Sequence, residues 1–181
     1  MSSTKTIAQN TLFLYFRMIL VMGVSLYTSR VILNVLGVSD YGVYNVIGGV
    51  VAMSSFITSS MSNGIQRFIT YTLGEGDKIK LRQVFAVSVN TQYLFAFILL
   101  IILETAGLWF INTQLNLPND RINAANWVFQ FSILALVLDI TTSPYLASII
   151  AYERMSVFAY LSILEVSLKL GLVFLLPIFP F

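Results

Sequence analysis

Arg17, Arg30, Glu104, Asp139, Glu165 and Lys169 stand inside long apolar stretches of this 181-residue chain. At the centre of a bilayer an ionised group costs from about 2.5 to over 10 kcal/mol, so each must reach water, find an opposite charge or line a polar pathway. Depth separates these residues. Arg17 and Glu104 lie about two turns from the ends of their segments, close enough to snorkel into a headgroup region. Asp139 lies near the middle of its segment, where snorkelling is hardest, and Thr141, Thr142, Ser143 and Pro144 follow it. That cluster predicts a loosened helix whose freed carbonyls need a wet or protein-lined setting. A protonated Asp139 bonded to a neighbouring helix would satisfy the same constraint.

Arg30 could also snorkel past Gly37, but Gly23, Tyr27, Arg30 and Asn34 recur at helical spacing and form one small and polar stripe. The stripe offers a cavity-facing alternative. Glu165 and Lys169, four residues apart, share a helix face and could neutralise each other or both line a pathway. Ser55, Ser59, Ser62 and Gln66 form an uncharged stripe, extended by Gly48 and Ala52, which suits either close helix packing or a hydroxyl-lined wall.

Five apolar segments position these residues, each near or above the roughly 20 helical residues that a 30 Å bilayer core requires. They run over residues 11–36, 41–66, 84–111, 124–150 and 157–176, joined by short polar connections such as GVSDYG and LGEGDKIKLRQ. The chain is 57% hydrophobic and only 10% charged, against about 25% charged for a soluble domain. The fold class is therefore all-α, a polytopic membrane helix bundle. Lys5, Arg67, Lys78, Lys80, Arg82 and Arg154 fall on one side of the alternating segments and Arg121 on the other, which predicts a cytoplasmic N-terminus. The third connection, with Pro118, Asn119 and Asp120, then faces outward.

A net charge of +2, with no basic block interleaved with aromatics, argues against nucleic acid. Absence of cysteine and histidine removes thiol chemistry, disulfides, the commonest zinc ligand and any Ser/His/Asp triad. One intramembrane aspartate cannot form an aspartyl protease dyad, and neither GxSxG nor HExxH occurs. The sequence contains no catalytic template and no metal-ligand cluster. Polar groups within short-looped helices fit a transporter better than an enzyme.

The run SRVILNVLGVSDYGVYNVIGGVVAMSSFITSSMSNGIQRFITYTLGEGD places an arginine late in the first segment, then LGxxDYGxYN, then a Ser-rich segment closed by QRF and GxGD. It resembles the N-terminal region of the bacterial Wzx-type polysaccharide flippases, a branch of the multidrug/oligosaccharidyl-lipid/polysaccharide transporter superfamily. The likeness covers about residues 8 to 95; beyond them it rests on hydropathy and loop length. It implies a multi-pass protein of the bacterial cytoplasmic membrane that flips undecaprenyl-pyrophosphate-linked oligosaccharide to the periplasmic leaflet for O-antigen or capsule synthesis. Such proteins alternate access between two six-helix lobes. No organic cofactor is implied, and coupling would be to H+ or Na+. The cargo is a polyprenyl-pyrophosphate-linked oligosaccharide, and membrane lipid is the other partner.

On that basis Arg30 is the foremost cargo contact, with Tyr27, Asn34, Gln66, Arg17 and Lys169 as further substrate-binding candidates. Asp139 and Glu165 are the candidates for ion coupling. The resemblance also leads us to expect that residues 1–181 are a partial N-terminal lobe, lacking its sixth helix and the C-terminal lobe. Alternatives are a cation-coupled drug or metabolite antiporter of the same superfamily and a non-transporting membrane scaffold remnant.

Overall fold

Gly37 adopts φ 75° and ψ 172°, a conformation reserved almost wholly for glycine, and this one residue breaks the helical run Ser3–Glu75. Its two arms are α1 (residues 3–36) and α2 (residues 38–75). The computed structural model describes residues 3–115 and 121–175, and of residues 3–10 and 57 only the backbone. Pro118, Asn119 and Asp120 of the third connection, and the C-terminal residues 176–181, lie outside the described residues.

The next break is equally local. Gly76 takes φ 76° at the end of α2, its N–H donating to the Leu73 carbonyl at 3.2 Å. Asp77 then caps α3, its carboxylate accepting from the backbone N–H groups of Ile79 at 2.9 Å and Lys80 at 3.1 Å. Helix therefore occupies most of the polar LGEGDKIKLRQ connection. Apolarity reports the thickness of the bilayer core, whereas the helix continues as long as its backbone bonds are satisfied.

Helix α3 runs over Lys78–Ile102 and continues through a π-helical turn, Leu103–Gly107, into Leu108–Thr113. Helix α4 spans Ile122–Ala151 and α5 spans Met155–Leu175. Glu153, at φ 57°, turns the chain between them. Among the described residues four helices are long and apolar enough to cross a membrane: Thr11–Glu75, Lys78–Thr113, Ile122–Ala151 and Met155–Leu175. The first, at 65 residues, would be about 98 Å long if unbroken, and either arm beside Gly37 exceeds the length one crossing needs.

The chain divides into two compact units, each of which is described by itself. Gly42–Ala151 contains α2 from Gly42 onward, α3 and α4. On α4 the buried residues Ala125, Phe129, Ile133, Leu136, Ile140, Pro144, Ala147 and Ala151 recur every three or four positions, a single helical stripe. It packs with Ala96, Leu99 and Leu103 of α3 and Ile47 and Val51 of α2. A smaller cluster joins Ile65 and Ile69 to Ala147 and Ala151. Gly107, in the π turn, allows a close approach: a Cβ there would lie 2.6 Å from Cζ of the buried Phe129 ring.

The other unit contains α1 and α5. Rings join them, Phe13 to Tyr160 at 6.4 Å and Tyr27 to Phe174 at 6.0 Å between centroids. The two contacts are fourteen residues apart on each helix, so α1 and α5 run parallel. Parallel is the direction that the first and fifth crossings of an alternating series must share.

Candidate functional site

Three polar pairs connect the antiparallel helices α3 and α4. Gln92 Nε2 donates to Ser143 Oγ at 2.8 Å, Gln130 Nε2 donates to Glu104 Oε2 at 3.0 Å, and the Asn112 and Asn126 amides exchange bonds of 3.3 and 3.1 Å. From Gln92 to Asn112 is about 30 Å of helix, so the rungs span a distance comparable to the bilayer core. Glu104 is thereby tied to α4 and half-buried, a setting different from the free interfacial anchor that its position near the segment end predicts. In the π turn that carries it, Thr105 Oγ1 donates to the Ile101 carbonyl at 2.7 Å. Such turns are frequent where a helix departs from regularity for function.

Gln92 is 1% exposed, and its Oε1 accepts no hydrogen bond among the described residues. Its partner Ser143 precedes Pro144, which has no N–H to give the Ile140 carbonyl. Helix α4 nevertheless remains continuous through the Thr141 to Pro144 cluster. Thr141 and Thr142 turn their hydroxyls back onto the Leu138 and Asp139 carbonyls at 2.9 and 3.0 Å, in place of loosening the helix as the sequence predicts.

Asp139 is exposed, set to one side of the buried Leu136 and Ile140, and its carboxylate has no partner among the described residues. Glu165 and Lys169 are exposed on α5 and form no ion pair, despite their spacing. By contrast, Glu75 and Lys80 meet at 2.7 Å beside the α2–α3 turn. Where both side chains keep access to the same surroundings, pairing gains little over separation.

On α1 the stripe of Gly23, Tyr27, Arg30 and Asn34 is exposed along its length. The Tyr27 ring meets that of Phe174 at a tilt of 47°, and Arg30 has no partner among the described residues. Arg17 is placed differently: half-buried, with its guanidinium carbon 4.3 Å from the centroid of the Phe158 ring and its Nε buried without an acceptor. A cation over an aromatic face retains part of the stabilisation that water would supply.

Gln66 lies half-buried on α2, in the unit that holds Asp139, and its backbone carbonyl accepts from Thr70 Oγ1 at 2.8 Å. Gly64, Gln66, Arg67, Phe68, Thr70 and Tyr71 line a concavity of about 900 Å³. In the serine stripe, Ser59 donates to the carbonyl of Phe56 at 2.9 Å, which leaves its oxygen as an acceptor. Among the described residues no three carboxylates converge on a metal-sized site.

The rungs escape sequence reasoning because partners lie 51, 26 and 14 residues apart. Gln92, Asn112, Asn126 and Gln130 carry no charge to attract notice. Their signal is faint: Gln92 shares a helix face with Ala96 and Leu99, four and seven residues on, and Asn126 shares one with Gln130. Compared with models of known families, with curated proteins and with solved structures, the chain matches none.

Proposed function

We propose that this chain forms part of a membrane transporter that flips a polyprenyl-pyrophosphate-linked oligosaccharide between leaflets by alternating access. The observation that carries the reading is the exposure of Arg30, Asp139, Glu165 and Lys169, all without partners among the described residues, on helices otherwise apolar enough to cross a membrane. Charges so placed are costly against lipid and inexpensive against a hydrated path or an anionic cargo. The amides Gln92, Asn112, Asn126 and Gln130, by contrast, are engaged between α3 and α4.

The cation assigned to the cargo is Arg30, because a guanidinium offers a planar set of donors to the pyrophosphate oxygens. Tyr27 and Asn34 share its face and would meet adjacent sugar or phosphate groups. Lys169 is a second exposed cation, and Gln66 a neutral donor beside the α2 concavity. Arg17, partly covered by Phe158, is the weakest of these contacts. Asp139 and Glu165 would exchange H+ or Na+ during the cycle. The LGxxDYGxYN and QRF patterns described above support the polysaccharide branch over a drug antiporter.

The test is complementation of a bacterial strain deleted for its own copy of the full-length protein, scored for surface polysaccharide and for cytoplasmic-leaflet lipid-linked intermediate. Arg30→Ala and Asp139→Asn should each abolish surface polymer and raise the intermediate while protein level in the membrane stays constant. Unchanged surface polymer in both variants would sink the proposal. Loss of polymer without the intermediate would indicate a role in assembly instead.

A further inference from the structure

We infer that the first turns of α3 bind the headgroup of an anionic phospholipid, with Lys78 and Arg82 as its cationic contacts. The charges around the α2–α3 turn divide into two sets. Glu75 is committed to Lys80 at 2.7 Å, and the Asp77 carboxylate is committed to the N–H groups of Ile79 and Lys80. Neither acid engages Lys78 or Arg82, and these two cations have no partner among the described residues.

Lys78 and Arg82 are four residues apart, so they lie side by side on one helix face and repel each other. Both line a single concavity of about 620 Å³, together with Ile79, Gln83 and Ala86. An anion seated between the two cations converts the repulsion into two charge-assisted contacts, and Gln83 adds a neutral donor.

The apolar part of the lining selects the source of that anion. Ile79 is 75% exposed and Ala86 lies two turns further along the same concavity, where α3 enters its apolar span. Inorganic phosphate has no use for this wall, whereas a phospholipid sets its acyl chain against it while the phosphodiester meets the cations. The site is independent of the flippase reading, because none of its residues is among the cargo or coupling groups.

The experiment is native mass spectrometry of the full chain released from mixed micelles containing equal phosphatidylglycerol and phosphatidylcholine. Preferential retention of phosphatidylglycerol is expected. Each cation near a membrane surface contributes about five-fold, so Lys78→Gln with Arg82→Gln should lower the phosphatidylglycerol to phosphatidylcholine ratio by about 25-fold. Lys80→Gln removes a charge already matched by Glu75 and should change the ratio by less than two-fold. Lys78→Arg with Arg82→Lys keeps both charges and should retain the preference, which separates charge from folding. Equal retention of the two lipids by the unaltered chain, or an equal loss in Lys80→Gln, would overturn the assignment. Displacement of the lipid by millimolar inorganic phosphate would overturn the choice of a lipid.

Discussion

Ring contacts join both helix pairs, Phe85 to Tyr145 in α3/α4 and Tyr27 to Phe174 in α1/α5, but among the described residues only α3/α4 is also joined by side-chain hydrogen bonds. Amide contacts such as Gln92 to Ser143 are directional, so they set both the rotation and the sliding register of two helices. Ring contacts such as Tyr27 to Phe174, tilted by 47°, tolerate a range of angles and offsets. No side-chain hydrogen bond joins α1 to α5 among the described residues. The difference separates a pair whose amides reach across to the facing helix from one with no such bond, in which Arg30, Glu165 and Lys169 have no partner among the described residues.

The largest effect is expected where α3 and α4 pack around Phe129. Phe129→Ala should destabilise the protein by about 3 kcal/mol or more, because a fully buried ring is lost from a packed interface. Thermal unfolding in detergent reads this, and a shift within error would mean that the interface is not the stable part. Gly107→Ala should cost about 1 to 3 kcal/mol by the same assay, since its Cβ would meet Phe129 at 2.6 Å.

A smaller effect sharpens the contrast. A double-mutant cycle on Glu104→Ala and Gln130→Ala should return a coupling of about 0.6 to 1.7 kcal/mol, the range of hydrogen bonds between membrane helices. Tyr27→Leu should cost at most about 1 kcal/mol, because the replacement still packs against Phe174. A loss larger than that of Gly107→Ala would reverse the ranking of the two pairs. The smallest effect belongs to the exposed charges. Arg30→Ala and Asp139→Asn should leave stability within about 0.5 kcal/mol, as is usual for groups without partners, while removing activity in the complementation assay.

Individual residues show how far the sequence could be read. Gly37 separates the first two helices at the end of the first apolar segment, and Gly76 with Asp77 contains both the stop and the start that its residue types announce. Glu165 and Lys169 have the spacing of an ion pair and do not form one, because spacing brings side chains within reach and surroundings decide whether pairing gains anything. Glu104 reads as a lone charge near a segment end, yet it is held by Gln130, which hydropathy does not distinguish from any other mildly polar residue.

Helicity, and enough apolarity to cross a membrane, were already written in the order of the residues. Both properties are one-dimensional: the length of an apolar run is measured against a fixed bilayer thickness, and glycine or a capping aspartate marks its ends. Helix packing was needed to show that Gln92 meets Ser143, that Phe129 lies against Gly107 and that Asp139 is set to one side of the buried stripe of α4. Those outcomes depend on the rotation and sliding of one helix against another, which is set by the packing of both surfaces together and cannot be found from either helix alone.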